Sequence, residues 1–276
     1  EVTGGADRPV SPWRSAPAWT GADRSRRARL RPMERIGVVG SGVMGSGIAQ
    51  VLAVAGHEVW NYDVDEAALE RARESVDTGR FGVRSAVARG KLTEAEATAA
   101  LERLHFTLDR QDALDVDLVI EAIPERLDLK LRFWREVDQL APEHTIFASN
   151  SSGFPIAAFA AVTQRPERVI GWHWASPAPV MKLAEIVRGP ETSDETVETV
   201  WRLAENAGKN PVVVRDTTRA WGYVANRVYA AMVREAQNVV AEGIATREQV
   251  DQLMVDCFRW PTGPFGMAKG ATSGWR

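Results

Sequence analysis

The amino-acid sequence predicts an α/β fold in which helices cover a mainly parallel sheet, followed by a small all-helical C-terminal domain. Two patterns support this prediction. From Arg35 onwards, short β-branched runs alternate with longer segments of helical periodicity, which is typical of a parallel sheet wrapped by helices. Beyond Asp216, apolar residues recur at helical spacing in one long run, and no further strand signal follows.

The predicted elements follow one another in a regular order, separated by polar or Pro-containing turns. Strands are expected at residues 35–39, 58–62, 118–122, 146–150, 169–172, 184–187 and 212–214. Helices are expected at residues 43–55, 66–88, 94–104, 128–140, 194–207, 224–240 and 247–258. We therefore divide the chain into a Rossmann-type domain at residues 33–217 and a helical domain at residues 218–276.

The composition excludes several classes of protein. A chain of 276 residues with 45% hydrophobic and 26% charged residues buries a substantial core, which rules out a disordered or collagen-like protein. A net charge of −3 provides no overall attraction to nucleic acid or to anionic membranes. The single cysteine, Cys257, cannot form an internal disulfide, and no apolar run approaches the roughly 20 residues of a membrane span. We expect a cytoplasmic protein without nucleic-acid or membrane partners.

The first 32 residues differ from the rest of the chain in composition. They contain seven arginines and three acidic residues among Pro, Gly, Ser and Ala, without apolar periodicity. Such a segment cannot bury enough apolar surface to offset the entropy of ordering, so we predict a disordered tail at residues 1–32. Its Arg-rich composition also fits an organelle transit peptide, and Met33, just before the first strand signal, also fits a natural start.

The first predicted strand runs directly into a Gly-x-Gly-x-x-Gly motif formed by Gly40, Gly42 and Gly45, and a helix follows. In this context Gly40 permits a tight turn, Gly42 lets the backbone approach a pyrophosphate, and Gly45 allows close packing of helix on strand. The phosphates are expected at the helix N-terminus, beside Val43 and Met44. The motif therefore predicts a dinucleotide site, while a loop that only turns a corner is the simpler alternative.

The second predicted strand ends in Asp63, eighteen residues after Gly45. A carboxylate there accepts hydrogen bonds from an adenosine ribose diol and repels a 2′-phosphate, so we predict NAD rather than NADP as the cofactor. Asp65 is the competing acidic residue, but its position favours a helix cap. We predict no metal site.

Polar side chains follow three later strands, at the edge where an open α/β sheet binds its ligand. Glu125 follows one strand, Ser151 and Ser152 follow the next, and His173 follows a third. Taken singly, these residues also fit a surface charge, helix caps and a satisfied core histidine. Their convergence on one crevice favours His173 as a functional residue.

Four segments of the chain resemble the L-3-hydroxyacyl-CoA dehydrogenases, a family that includes bacterial 3-hydroxybutyryl-CoA dehydrogenase. The segments are the Gly-rich stretch, residues 119–125 with Lys130, residues 148–152, and His173 followed by residues 177–185. The last of these is the most specific for the family. The resemblance extends from Arg35 to about Phe265.

The resemblance implies an NAD-dependent enzyme of fatty acid metabolism, which oxidises an L-3-hydroxyacyl-CoA to the 3-ketoacyl-CoA and catalyses the reverse reaction. It makes His173 the base that takes the hydroxyl proton and Glu185 the carboxylate that orients and charges it. An imidazole paired with a carboxylate suits this role near neutral pH. Ser152 and Asn226 would hydrogen-bond the 3-oxygen of the substrate. The residues expected at the cofactor are Glu125, Lys130 and Asn150.

The chain departs from the family pattern at three places. Ser176 stands where the family commonly has Asn, which removes one hydrogen bond expected on the nicotinamide side. Residues 217–221 are longer than the usual connection before Asn226, so we expect a different pocket wall. The chain also stops soon after Phe265, which fits either a short subgroup or an incomplete sequence.

Two alternatives stay open. Related dehydrogenases oxidise free hydroxy acids such as L-gulonate or carnitine, although residues 177–183 resemble the acyl-CoA branch more closely. A non-catalytic NAD-binding protein is the second alternative, because a fold alone does not establish activity. The presence of both His173 and Glu185 favours an enzyme.

The acyl-CoA and partner surfaces are less specific in the sequence. Arg84, Arg89 and Lys91 are candidates for the CoA phosphates, although spaced basic residues on a helix more often form a solvated face. We also expect a homodimer through the apolar face of residues 224–257, because so small a helical domain cannot bury its apolar side chains alone.

Overall fold

The computed structural model of the chain describes residues 35–217 and 222–272. The tail predicted at residues 1–32 lies outside this range, and so do Met33, residues 218–221 and the C-terminal residues 273–276. The strands of the described part are β1 (Arg35–Val39), β2 (Glu58–Tyr62), β3 (Leu104–Thr107), β4 (Leu118–Glu121), β5 (Ile146–Ser149), β6 (Val169–Trp174), β7 (Leu183–Arg188) and β8 (Asn210–Arg215). The helices are α1 (Val43–Val54), α2 (Glu66–Asp77), α3 (Val83–Ala88), α4 (Glu94–Glu102), α5 (Leu127–Leu140), α6 (Ile156–Ala160), α7 (Asp194–Asn206), α8 (Val224–Ala241), α9 (Arg247–Phe258) and α10 (Pro264–Thr272).

The strands form one sheet in the order β3-β2-β1-β4-β5-β6-β7-β8. Neighbouring strands run parallel, except for the antiparallel pair β6 and β7. The chain builds outward from β1 to β3 and then returns to add β4 on the other side of β1. Such a reversal opens a crevice at the carboxyl ends of β1 and β4, where α/β sheets bind ligands. The predicted fold class, including the helical C-terminal part, is confirmed.

The central strands are apolar on both sides because helices cover both faces of the sheet. Along β4, Leu118 and Ile120 belong to one core cluster and Val119 to the other. On the second face, Trp134 of α5 is buried and stacks on Phe147 of β5, with 5.2 Å between ring centroids. Since strand side chains alternate between the two faces, burial on both faces explains the continuous apolar runs.

The helix predicted at residues 66–88 is two helices, α2 and α3. Gly79 and Gly82 lie between them, and a Cβ at either position would lie within 2.7 Å of a backbone oxygen. The tight packing requires glycine at both positions, and because glycine is unfavourable inside a helix, the helix is interrupted here. The helix predicted at residues 94–104 ends at Glu102 instead, because Leu104 is buried as the first residue of the edge strand β3.

The short helix α10 is not predicted from the sequence, because its start depends on a distant side chain. The carboxylate of Asp251 in α9 accepts the backbone N–H groups of Phe265 and Gly266 at 2.8 and 2.9 Å. These are first-turn donors that have no partner within their own helix. A contact across fourteen residues leaves no local pattern from which to predict the helix.

The C-terminal helices α8, α9 and α10 pack against one another. The last strand of the sheet, β8, ends at Arg215, and α8 begins at Val224. We propose a domain boundary between them, near residue 217. Within residues 35–217 and 222–272, no helix has the length and apolar character that a membrane crossing requires.

Candidate active site

A tight glycine turn connects β1 to α1 at the carboxyl edge of the sheet. Gly40 has a φ of +102°, a conformation that side chains rarely adopt, and a Cβ there would lie 2.6 Å from the carbonyl oxygen of Ala122. A Cβ on Gly45 would lie 1.7 Å from the carbonyl oxygen of Gly40. Both positions therefore require glycine, the first for the turn and the second for the close approach of α1 to the strand.

The N-terminus of α1 is open in a way that suits a phosphate. Gly42 is the N-cap of α1, so no side chain caps the helix there. A Cβ built on Gly42 would have no neighbouring atom within 4 Å. The first N–H groups of a helix, here those of Val43 and Met44, have no partner inside the helix, and the helix dipole attracts negative charge. A pyrophosphate fits this cradle, as the glycine spacing predicts.

The carboxylate of Asp63, directly after β2, is fixed beside the glycine turn. One oxygen accepts the backbone N–H of Ser41 at 2.7 Å, and the other accepts the N–H of Asp65 at 3.1 Å. Asp65 itself caps α2 by accepting the N–H of Ala67, which confirms its predicted role as a helix cap. Asp63 therefore lies where a carboxylate can bind the ribose of a nucleotide held at α1.

Asn61 supports the same turn, although the sequence analysis does not identify it as a functional residue. Its side chain is fully buried in β2, and its amide nitrogen donates to the carbonyl oxygens of Val38 at 3.0 Å and Gly40 at 3.2 Å. These hydrogen bonds hold the backbone of the glycine turn in place. The only sequence signal for this role is an amide in a strand interior where an apolar residue is expected.

β6 and β7 place a histidine opposite a carboxylate. Their antiparallel register pairs His173 directly with Glu185, and Nδ1 of His173 lies 2.7 Å from Oε2 of Glu185. Both side chains are buried. Directly opposite residues point to the same face of a sheet, so the backbone pairing itself brings the two groups together. The prediction that His173 follows its strand is wrong, because β6 continues to Trp174 under the pairing with β7.

Glu185 is held from a second direction by the helical domain. Its Oε1 accepts the backbone N–H of Ala225, at the start of α8, at 2.9 Å. Burial raises the pKa of Glu185, but the hydrogen bonds from His173 and Ala225 outweigh burial and hold the pKa below its usual value. Glu185 is therefore ionised at neutral pH and keeps Nδ1 of His173 protonated, which makes Nε2 the nitrogen that exchanges a proton with a ligand.

Tyr223, which the sequence analysis also misses, packs edge-on against His173, with 5.8 Å between ring centroids. It is buried, and its hydroxyl donates to the carbonyl oxygen of Phe154 at 2.7 Å. Burial raises the pKa of the Tyr223 phenol, with the negative charge of Asp216 acting in the same direction. The phenol therefore stays neutral and does not compete for the proton that His173 handles. A single tyrosine ahead of a helix carries no sequence signal for this role.

Asn226 and Ser152 lie in contact beside this pair. The side-chain amide of Asn226 donates to the backbone carbonyl of Ser152, in the loop after β5, at 3.3 Å. The neighbouring residue of α8, Ala225, is the one that binds Glu185. The structure thus brings Ser152 and Asn226 into the same region as His173, as predicted, although they are far apart in the sequence.

The loop after β5 is shaped by Glu125. One oxygen of its carboxylate accepts both the hydroxyl of Ser151 at 2.7 Å and the N–H of Ser152 at 2.9 Å. The Ser151 hydroxyl in turn accepts the N–H groups of Gly153 at 3.3 Å and Phe154 at 3.0 Å. Ser151 therefore stabilises the loop itself, and Glu125 fixes the position of Ser152.

A buried ion network lies beneath this loop. The ammonium group of Lys130 contacts the carboxylates of Glu121 and Glu125, the latter at 3.1 Å. Glu121, which is fully buried, also accepts the hydroxyl of Ser149 at 2.7 Å and the N–H of Ile123 at 3.0 Å. Burial raises the pKa of Glu121, and the charge of Lys130 opposes this rise. Lys130 thus orients Glu125 from the interior, and its predicted contact with the cofactor stays a prediction.

Other predicted residues have partners of their own. Asn150 accepts the backbone N–H of Trp174 at 3.0 Å through its side-chain oxygen, and so joins the ends of β5 and β6. Arg84 pairs with Asp77 at 2.7 Å, and Arg89 donates to a backbone carbonyl at 2.8 Å, both in the exposed α2–α3 region. Across the described ranges, no three His, Cys, Asp or Glu side chains group as a metal site requires.

Comparison with known proteins covers both parts of the chain. The family model of the 3-hydroxyacyl-CoA dehydrogenase NAD binding domain matches residues 35–217, and that of the 3-hydroxyacyl-CoA dehydrogenase C-terminal domain matches residues 222–275. A probable 3-hydroxybutyryl-CoA dehydrogenase of Bacillus subtilis is 42% identical over 86% of this chain and 80% of its own length. A second, of Deinococcus radiodurans, is 39% identical over 85% of this chain and 82% of its own. The crystal structure of (S)-3-hydroxybutyryl-CoA dehydrogenase from Ralstonia eutropha has a TM-score of 0.81 at 38% identity, covering 86% of this chain and 82% of that one.

We expect Lys130→Met to lower the free energy of unfolding at pH 7 by about 3 kcal/mol, because it leaves Glu121 buried without its counter-charge. A carboxyl group whose pKa is raised on folding binds protons more tightly in the folded state, so protonation stabilises the fold as the pH falls. The deficit should therefore shrink between pH 7 and about pH 5, as measured by urea unfolding. In the double variant Lys130→Met/Glu121→Gln, which has no carboxyl group at position 121 to protonate, the deficit at pH 7 should be smaller and should not shrink as the pH falls. A deficit in the single variant that is the same at both pH values would contradict this account.

Proposed function

Because the chain belongs to the 3-hydroxyacyl-CoA dehydrogenase family, we propose that it oxidises an L-3-hydroxyacyl-CoA to the 3-ketoacyl-CoA with NAD, and that it catalyses the reverse reduction. The observation that carries this proposal is the buried hydrogen bond of 2.7 Å between His173 and Glu185. The reaction needs one group that removes a hydroxyl proton in step with hydride transfer. An imidazole held by an ionised carboxylate meets this need.

In the proposed mechanism His173 handles the proton of the reaction. When bound, NAD supplies the hydride acceptor at its nicotinamide ring. Nε2 of His173 takes the proton of the 3-hydroxyl while the electron pair of the C3–H bond leaves as hydride, and the C3–O bond becomes a carbonyl. Glu185 stabilises the imidazolium that forms. In the reduction, the imidazolium returns this proton to the 3-oxygen.

The 3-oxygen is proposed to bind between Ser152 and Asn226. The contact of 3.3 Å between them joins the loop after β5 to α8, next to the pair that handles the proton. The hydroxyl of Ser152 and the amide of Asn226 are donors, and donors aimed at the 3-oxygen stabilise the negative charge that develops there as the ketone is reduced.

The cofactor is proposed to bind along the carboxyl edge from Asp63 to His173. Asp63 would accept the adenosine ribose hydroxyls, and the first N–H groups of α1 would bind the pyrophosphate. The cradle at Gly42 and the fixed orientation of Asp63 support this placement. Glu125 completes the site by fixing the loop that carries Ser152.

We further propose that the protein acts as a homodimer. Among residues 224–241 of α8, which the structure describes in full, Ala236 alone is buried. Val224 and Val228 of α8 are 54% and 66% exposed, and Leu253 and Phe258 of α9 are 63% and 58% exposed. An amphipathic pair of helices with so many exposed apolar side chains fits a self-complementary interface.

We propose a cytoplasmic location and a place in fatty acid metabolism. The single cysteine excludes an internal disulfide, and the bacterial relatives are named as probable 3-hydroxybutyryl-CoA dehydrogenases.

The proposed activity is tested by steady-state oxidation of NADH with acetoacetyl-CoA, followed by absorbance. We expect turnover with acetoacetyl-CoA and little with free acetoacetate at the same concentration. The reverse preference would indicate a dehydrogenase of free hydroxy acids. No turnover with either substrate, in a protein that still binds NADH, would indicate a non-catalytic NAD-binding protein.

We expect His173→Ala to lower kcat on the order of 100-fold or more, with the Kd for NADH near that of the unmodified protein. Glu185→Gln removes the charge that stabilises the imidazolium, so the rate of ketone reduction should be lower and should begin to fall at a lower pH as the pH is raised. Adding Glu185→Gln to His173→Ala should cost little more, because the two residues act as a unit. Fully additive losses with an unshifted pH profile would show that Glu185 does not serve His173.

We expect the unmodified protein to use NADH in preference to NADPH. Asp63→Ala should raise the KM for NADH roughly tenfold by removing a charged hydrogen-bond acceptor for the ribose, and should change the KM for NADPH less. Asp65→Ala is the matched control: it removes the cap of α2, so it should cost about 1 kcal/mol of stability and leave the preference unchanged. More efficient use of NADPH by the unmodified protein would refute the assignment.

The dimer is tested by sedimentation equilibrium at micromolar concentration, where we expect the mass of two chains. Val228→Asp places a charge in the exposed apolar face of α8 and should shift the mass toward one chain. Leu108→Asp, at a position 51% exposed after β3, should leave the dimer intact. A single-chain mass for the unmodified protein would contradict the proposal.

A further inference from the structure

Residues 175–182, which we name the connecting loop, join β6 to β7. The loop follows the strand of His173 and precedes the strand of Glu185, so it closes the hairpin that carries the proposed catalytic pair. Its tip is a compact turn, in which the N–H groups of Val180 and Met181 both bond to the carbonyl oxygen of Pro177, at 3.0 and 3.1 Å. A displacement of the connecting loop would therefore act on the two strands that carry His173 and Glu185.

The connecting loop also packs against α1, the helix that begins at the glycine turn. A Cβ on Gly47 of α1 would lie 3.2 Å from Cδ of Pro179 and 3.3 Å from Cβ of Ala178. Ala178 is buried in this contact. The loop thus spans the distance between the proposed pyrophosphate site on α1 and His173 on β6.

Lys209, ahead of β8, also holds the connecting loop. Its ammonium group donates to the carbonyl oxygens of Ala178 at 2.6 Å and Met181 at 2.9 Å, and it lies 5.2 Å from the ring centroid of Trp174. The side chain is 7% exposed. Burial lowers the pKa of Lys209 to about 8, and the charge of Lys182 adds to this effect, yet the group is still an ammonium at pH 7.

The burial of Lys209 is informative because an ammonium group is costly to remove from water without strong partners. The partners here are two backbone carbonyls of the same loop, three residues apart, and charge-assisted bonds of this kind are stronger and more directional than neutral ones. Lys182, by contrast, is exposed and donates to the carbonyl oxygen of Gly208 at 2.8 Å. Replacement of Lys182 would therefore leave no buried hydrogen-bond acceptor without its donor.

We propose that Lys209 is a positioning residue, which holds the connecting loop against α1 and so shapes the nicotinamide half of the cofactor site. This inference rests on the proposed function. Hydride transfer requires the nicotinamide to lie beside the carbon whose oxygen contacts His173, so the nicotinamide end of the site lies where the loop joins α1 to β6. The adenosine end is built from the glycine turn and Asp63, which Lys209 does not contact.

The test compares the binding of NADH with that of ADP-ribose, which lacks the nicotinamide, by calorimetry at pH 7. In Lys209→Met, which keeps most of the unbranched side chain but loses both hydrogen bonds, we expect the Kd for NADH to rise roughly tenfold. The Kd for ADP-ribose should change less than about twofold, because its subsites do not depend on the loop. In the matched control Lys182→Met, both dissociation constants should stay within about twofold of the unmodified values.

Gly47→Ala provides an independent test if Lys209→Met does not fold. The added methyl group favours the helix, and it displaces the connecting loop by contact with Ala178 and Pro179. We expect the same pattern, weaker NADH binding with unchanged ADP-ribose binding, without loss of thermal stability. A global loss of stability cannot produce this combination.

Three outcomes would overturn the inference and leave the proposed function intact. Unchanged NADH binding in Lys209→Met, or equal weakening of NADH and ADP-ribose, would show that Lys209 does not act on the nicotinamide half. Unchanged NADH binding in Gly47→Ala would show that the loop position has no such effect. In these cases the unmodified protein still binds NADH and the proposed function stands. Failure of the unmodified protein to bind NADH would overturn the proposed function together with the inference.

Discussion

β6 and β7 run antiparallel in a sheet whose other neighbouring strands run parallel, and this reversal sets His173 opposite Glu185. The backbone pairing of the two strands therefore holds the two side chains beside each other on one face of the sheet. The same carboxylate accepts the N–H of Ala225 and so holds the start of the helical domain against the sheet. One buried carboxylate thus fixes both the tautomer of the proposed base and the position of Asn226.

The proposed site has two halves on different parts of the sheet. The glycine turn and Asp63 lie at β1 and β2, while His173 lies on β6, with β4 and β5 between them in the strand order. A dinucleotide spans such a distance, but only if both halves keep a constant separation. The packing of residues 175–182 on Gly47, and the two bonds from Lys209 to the same loop, supply that constraint.

Several buried charged and polar side chains around the site have specific partners. Lys130 lies between Glu121 and Glu125, Tyr223 bonds to Phe154, and Lys209 bonds to two carbonyls. Such groups contribute little net stability compared with apolar residues of similar size, because desolvation offsets their attraction. They do penalise any arrangement in which a partner is missing. The loops at the carboxyl edge therefore have one favourable arrangement, which a reaction that depends on short transfer distances requires.

The sequence by itself determined the features that depend on neighbouring residues: the alternation of strands and helices, the turn at Gly40, the carboxylate at Asp63 and the histidine at position 173. Its local patterns did not reveal the pairing of His173 with Glu185, which entered only through resemblance to a family. Only the tertiary structure decided which polar residues meet, including Glu121 with Lys130 and Lys209 with the loop after β6. It also decided that Leu104, which the sequence pattern placed at the end of a helix, begins the edge strand β3. The physical reason is the same in each case: these contacts join residues 9 to 45 positions apart, whose meeting depends on how strands pair and helices pack and not on any periodicity within one segment.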